Sequence, residues 1–262
     1  MGIIDKTFHK GVYSENWSER QNAIKTTDDI KLLQKIALTD ENWLVRSEAL
    51  KKIENQDFLE TIALNDKNID LRQQAVQKID NPKILKNIVL YNDNPDVRRS
   101  TLEKIKDQQV IQYVALNDDH WWVRRAALEK IEDPTIIENI AFLDKNYKVR
   151  KAALDKIPYE KVIEKIALND EHWVIRKAAL EKITNSQIFD KLAKNDINWE
   201  IRKDCVEKSN NRLLMEDIAV NDENFEVRAA AVKKINNHDL LFKISKDDTN
   251  FVVREVARSC LH

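Results

Sequence analysis

Residues 169–183 read NDEHWVIRKAALEKI. The same frame returns 26 residues earlier as DKNYKVRKAALDKI (144–157), and 26 before that as DDHWWVRRAALEKI (118–131). The fixed point of the frame is an arginine, found at 20, 46, 72, 98, 124, 150, 176, 202, 228 and 254, ten times at an unbroken interval of 26. A constant period of this length marks an array in which each unit buries its apolar face against its neighbours alone. The 262-residue chain is therefore expected as one α-solenoid domain, with residues 1–28 a degenerate N-terminal capping repeat and 29–262 nine regular repeats.

Each repeat carries two amphipathic stretches. Upstream of the arginine lie apolar pairs such as Leu32 and Leu33 or Ile136 and Ile137, followed at helical spacing by Ile36 or Ile140, which predicts a short helix A. A second stretch begins just before the arginine and carries Val149, Ala153, Leu154 and Ile157 as one stripe, which predicts helix B. Seventeen residues before the arginine stands Asp or Asn in most repeats (Asp29, Asn55, Asn81, Asp107, Asp133, Asn185, Asn211, Asn237), suited to accept from the free amides of helix A. Four before it, Asn16, Asn42, Asn68, Asn94, Asn146, Asn198, Asn224 and Asn250 form a second cap column, with His120 and His172 as substitutes. Helices of roughly ten residues do not persist alone in water, so stacking must hold them.

Composition removes whole classes of function. With only Gly2 and Gly11, no phosphate-cradling glycine loop can exist. The 44 basic and 45 acidic side chains are spread evenly, so neither half is a basic arm or an acidic tail. The start MGIIDKTFHK lacks a signal-peptide core, and a cytoplasmic protein without a membrane span is expected. Cys205 and Cys260 supply neither a disulfide framework nor a zinc set and read as packing residues. The five histidines include no His-Glu pair and no nucleophile has a recognisable base, so no enzyme, metal or cofactor is expected.

Eight repeats place Asp six residues before the arginine (Asp40, Asp66, Asp118, Asp144, Asp170, Asp196, Asp222, Asp248), and NDEHWVIRKAALEKI resembles the second half of a HEAT-like repeat. The 26-residue period is similar to the leucine-rich repeat variant family, which also shows Asp followed by Val-Arg. The resemblance implies an all-α fold, an α/α solenoid of about ten two-helix HEAT-like repeats, and leaves the activity open, since such folds serve as adaptors, lyase subunits and DNA-repair proteins.

Taking ~100° per residue, the arginine points into the apolar seam of helix B, where an Asp of its own or the adjoining repeat can neutralise it. Asn92 replaces the Asp before Arg98, so the Arg98 rung is expected to be the weak one. An aromatic column (Trp17, Trp43, Trp121, Tyr147, Trp173, Trp199, Phe225, Phe251) flanks the seam and reads as packing. After the arginine come Arg99, Arg125, Lys151, Lys177 and Lys203, with an acid four residues later in each case, so this stripe is expected to neutralise itself along each helix. A lysine column (Lys52, Lys78, Lys104, Lys130, Lys156, Lys182, Lys208, Lys234) suits helix C-termini.

The outward position two before the arginine holds Leu44, Trp122, Lys148 and Val174 in different repeats. A Trp between basic neighbours is the kind of anchor found at the centre of interfaces. The candidate binding residues are Trp122, Lys148, Val174 and Leu44, with Arg125, Lys151 and Lys177 beside them. They point to a non-catalytic scaffold presenting helix B surfaces to a peptide or helical partner. The alternatives are a nucleic-acid-binding or DNA-repair protein using the basic columns, and a lyase-like subunit holding a chromophore or cofactor. Lys6, Thr7 and Lys10 give the first repeat a polar outer face, whereas Phe251 and Val252 lie near an end without such a cap, so self-association through the C-terminal end is also expected.

Overall fold

The computed structural model describes residues 10–261. The polar positions Lys6 and Thr7 lie outside these residues, and the side chain of Lys10 does too. After a 3-10 turn at Lys10–Tyr13, the described chain forms nineteen α-helices and no strand. It divides into two compact units, residues 1–136 and 137–262.

In the first unit the B helices are α1 (Trp17–Lys25), α3 (Trp43–Lys51), α5 (Ile69–Lys78), α7 (Pro95–Lys104) and α9 (Trp121–Glu129). They alternate with the A helices α2 (Ile30–Thr39), α4 (Gln56–Asn65), α6 (Pro82–Tyr91) and α8 (Gln108–Asn117). Helix α10 (Pro134–Leu143) spans the division. Each A helix packs on the B helix that follows it, and each B helix packs on the next B helix. The second unit repeats the scheme with B helices α11 (Tyr147–Lys156), α13 (Trp173–Leu180), α15 (Trp199–Lys208), α17 (Phe225–Val232) and α19 (Phe251–Ser259). Its A helices are α12 (Glu160–Asn169), α14 (Ser186–Asn195), α16 (Arg212–Asn221) and α18 (His238–Asp247). The fold is thus all-α, a solenoid-type succession of two-helix repeats.

The boundaries follow the cap chemistry. Asn42 accepts from the amide of Leu44, Asn94 from those of Asp96 and Val97, and Asp107 from those of Gln109 and Val110. Of the two histidine substitutes, His172 Nδ1 accepts from Val174 at 3.3 Å, while His120 caps nothing. Close packing of successive helices rests on small residues. Three after the arginine, Ala49, Ala75, Ala127, Ala153, Ala179, Ala231 and Ala257 are fully buried, with Thr101 and Cys205 in the same place. Cys205 is thus a packing residue, and burial pushes its thiol up to about 12, which keeps it unreactive.

Candidate functional site

The repeated arginine is buried in eight repeats, and in seven of these an aspartate of the following repeat receives it. In the first unit Arg98 Nε and Nη2 donate to the two carboxylate oxygens of Asp118 at 2.7 and 2.8 Å, and Arg20 with Asp40 and Arg46 with Asp66 repeat the geometry. In the second unit Arg150, Arg176, Arg202 and Arg228 do the same with Asp170, Asp196, Asp222 and Asp248. The third nitrogen, Nη1, donates to the carbonyl six residues back, as Arg46 does to Asp40 at 2.9 Å. The same aspartate accepts from the amide two residues on, Asp118 from His120 at 2.9 Å. Planar, bidentate pairing suits guanidinium better than ammonium, which accounts for an arginine column without a lysine. The Asp118 hydrogen bonds outweigh desolvation and hold Arg98 above its ordinary value.

Because the acid lies 20 residues ahead, the expectation for Asn92 is corrected: Arg98 has a full rung, and Arg72 is the exception. Arg72 finds Asn92 where its carboxylate should be and turns to Asp93 at 2.6 Å, an exposed side chain. Asn92 is itself buried and donates to the Ala63 carbonyl at 2.9 Å.

The lysine column is also occupied, and it reaches backwards. Lys130 Nζ donates to the carbonyls of Leu102, Glu103 and Ile105 at 2.7, 3.1 and 2.8 Å, closing the C-terminus of the preceding B helix. Lys52, Lys78, Lys104, Lys208 and Lys234 reach the corresponding carbonyls. Burial holds Lys130 below its ordinary value, against the pull of Glu103.

The stripe after the arginine departs from its expected neutralisation along each helix. Only Lys151 meets its own i+4 acid, Asp155, and at 4.0 Å. Lys177 instead pairs with Asp204 at 3.1 Å and Glu200 at 3.7 Å in the next repeat, and Lys203 pairs with Glu226 at 2.8 Å. These cross-repeat bonds hold both ammonium groups above their ordinary values, with Asp204 the main cause for Lys177 and Glu226 for Lys203. Asp204 lies 27 residues ahead of its lysine, and Glu200 and Glu226 lie 23 ahead of theirs, at the position two before the next arginine. For Arg99 that position is Trp122, not an acid. Among the described residues neither Arg99 nor Arg125 has an ion pair or a hydrogen bond, and both are exposed.

These two guanidinium groups face one groove. Between α7 and α9 a cavity of about 430 Å³ is lined by Arg99, Leu102, Glu103, Trp121, Trp122, Arg125, Ala126, Glu129 and Lys130. Trp122 forms its wall as a half-buried ring, edge-on to His120 at 4.8 Å and to Trp121 at 5.9 Å. The sequence-predicted residues therefore separate. Trp122 and Arg125 share this groove, while half-buried Leu44 sits on α3, outside it. Lys148 and Lys151 lie on α11 and Val174 and Lys177 on α13, in the second unit, with Lys151 and Lys177 engaged by acids. Arg99 and Trp121 complete the groove, and the 23-residue offset to Trp122 is the signal that marks Arg99 in the sequence.

The aromatic column is packed on one side and open on the other. Tyr147 stacks on His172 of the next repeat at 4.0 Å and 12°, whereas Trp43 and Trp173 keep over a third of their surface in water. A further apolar column was not foreseen: Leu38, Leu116, Phe142 and Val220, each eight before its arginine, stand exposed on the last turn of helix A. Among the described residues no group of three or more His, Cys, Asp or Glu could hold a metal ion, and no helix is long and apolar enough to cross a membrane.

No family model matches the chain, and no curated protein matches it. Two solved structures are similar at low identity. One is described as a leucine-rich repeat variant with a novel repetitive protein structural motif, at 17% identity over 95% of this chain and 88% of that one, with a TM-score of 0.43. The other is a designed armadillo repeat protein, YIII(Dq)4CqI, at 18% identity over 97% of each chain, with a TM-score of 0.14.

Proposed function

We propose that the chain is a non-catalytic, HEAT-like scaffold that presents its B-helix surface to a polypeptide partner. One observation carries the reading: the charge columns that would make a continuous basic track are spent within the array, apart from Arg99 and Arg125 beside the Trp121–Trp122 groove. A nucleic-acid backbone needs cations along its length. A polypeptide anchor needs one concave pocket with an aromatic wall, which is what the groove offers. Lys148, Val174, Lys177 and Lys151 are proposed as a secondary surface of the second unit, and Leu44 as a separate contact on α3 of the first. The unpaired thiols Cys205 and Cys260 accord with a reducing, cytoplasmic setting.

The test is photo-crosslinking in cell extract from a reactive group placed at Ala126 in the groove, with Leu213, an exposed residue of α16, as the control position. Discrete polypeptide adducts at residue 126 alone are the expected result. Nuclease-sensitive adducts would favour the nucleic-acid reading, and identical patterns at the two positions would remove the groove from consideration.

We propose in addition that the C-terminal repeat self-associates. Its Phe251 and Val252 stand exposed side by side at the start of α19, where Arg254 lies over the Phe251 ring and donates to the carbonyls of Asp248 and Thr249. Light scattering is expected to show a mass that rises with concentration and that Phe251→Ser together with Val252→Ser keeps monomeric. A wild-type monomer at the highest concentration would refute this.

A further inference from the structure

We infer that the groove between α7 and α9 recognises an extended acidic segment, two carboxylates flanking an apolar side chain, seated on Arg99, Arg125 and Trp122. The inference rests on the scaffold reading and adds the chemistry of the partner.

Charge complementarity selects this occupant. An exposed arginine is commonplace, but the other basic members of this column each meet an acid: Lys177 meets Asp204 and Glu200, Lys203 meets Glu226, and Lys151 meets Asp155 loosely, at 4.0 Å. Arg99 and Arg125 occupy equivalent positions on successive B helices and are the two members without an acid. Each guanidinium offers a planar fork matched to a carboxylate, and neither must break an existing pair to accept one. Packed helices lie about 8 to 10 Å apart, so the two forks suit carboxylates two or three residues apart on a chain rising about 3.3 Å per residue. Side chains alternate along such a chain, so a segment crossing both helices that turns two carboxylates to the arginine edge turns the intervening side chain to the opposite edge, towards Trp122, which stands about one helical turn before Arg125.

The far side of the groove sets the polarity. Glu103 and Glu129 stand four residues after the arginines, about 6 Å further along their helices. A polyphosphate track crossing the groove would place charge against these carboxylates. A peptide with its acids confined to one edge avoids them. Lys130 does not relieve the repulsion, because its three donors are committed to the carbonyls of Leu102, Glu103 and Ile105.

The probe is a capped, proline-flanked decapeptide with the core Glu-Leu-Glu, with Gln-Leu-Gln and Lys-Leu-Lys versions as controls. Binding is read on the indole N–H signals of the six tryptophans in the ¹⁵N-labelled full chain, assigned by single Trp→Phe variants. The expected result is saturable movement of the Trp121 and Trp122 signals by the Glu peptide, at least tenfold weaker with the Gln peptide and absent with the Lys peptide, while those of Trp43 and Trp199 stay in place. Arg99→Gln with Arg125→Gln removes the response at an unchanged melting temperature, since neither group is bonded within the fold, and Lys151→Gln with Lys177→Gln leaves it intact. Equal response to the Glu and Gln peptides, no response at millimolar peptide, or displacement of the Glu peptide by a short DNA duplex at lower concentration would each overturn the inference. Polypeptide adducts at residue 126 combined with indifference to the Glu peptide would leave the scaffold reading standing and refute the partner chemistry alone.

Discussion

Arg72 and Arg98 occupy the same repeat position, yet their surroundings give them different energetic weight. Arg98 and Asp118 are both almost dry, with their hydrogen-bonding groups mutually satisfied. Removing the acid leaves a buried cation, at about 3 to 5 kcal/mol. Arg72 bonds to Asp93, whose side chain is 78% exposed, where water screens the pair and the loss is within about 1 kcal/mol. Asp118→Ala is thus expected to lower the urea midpoint far more than Asp93→Ala, and equal shifts would contradict the rung model. The rungs also set acid behaviour. Burial pushes the Asp248 carboxyl up, but the hydrogen bonds from Arg228 and from the Asn250 amide prevail and hold it below its ordinary value. A carboxyl depressed on folding stabilises fully above its unfolded value near 4, and that contribution disappears as pH falls through the folded value. The difference in urea midpoint between wild type and Asp248→Asn should therefore be large at pH 6 and shrink below pH 4; a difference independent of pH would show that the ion pair contributes nothing.

At the scale of the helix, the sequence made the elements legible and hid their partners. The cap columns mark where each helix begins because capping is local chemistry, readable from one residue and its next two amides. Periodicity placed the arginine in the seam for the same reason. Neither reports which repeat answers a side chain, so the forward reach of 20 residues from Arg98 to Asp118 and the backward reach from Lys130 to Leu102 emerge only in three dimensions. The site shows the same limit: Trp122 reads as an anchor from the sequence alone, but Glu103 and Glu129 look like local partners for Arg99 and Arg125, which hides Arg99 from the candidate site. The backward lysine gives a prediction at this scale. Lys130→Met keeps the apolar stem but strips the last carbonyls of α7 of three donors, at about 1 to 3 kcal/mol. Hydrogen exchange should show the last turn of α7 opening more readily, with α8 unaffected. Uniform loss of protection across the unit would instead mean that Lys130 acts on overall stability.

At the scale of the molecule, a repeat array is as strong as its successive steps, because each repeat contacts only its neighbours. The steps within the first unit are not equal. From Arg46 to Asp66 and from Arg98 to Asp118 the rung is dry and bidentate, while between the repeats centred on Arg72 and Arg98 it is reduced to the exposed Arg72–Asp93 pair. That step retains the Asn92 bond to Ala63 and the Lys104 bond to Gln77, so it is weakened but not absent. Native-state exchange in low urea should accordingly separate the unit near Asp80, with the amides of α2 to α5 opening at lower free energy than those of α7 to α9. The Trp121–Trp122 groove lies wholly on the α7–α9 side of this step, so a groove-binding ligand should raise protection in α7 to α9 and leave α2 to α5 nearly unchanged. If α2 to α9 instead open together at one free energy, with or without ligand, the rungs do not govern cooperativity and stability resides in the apolar seam alone.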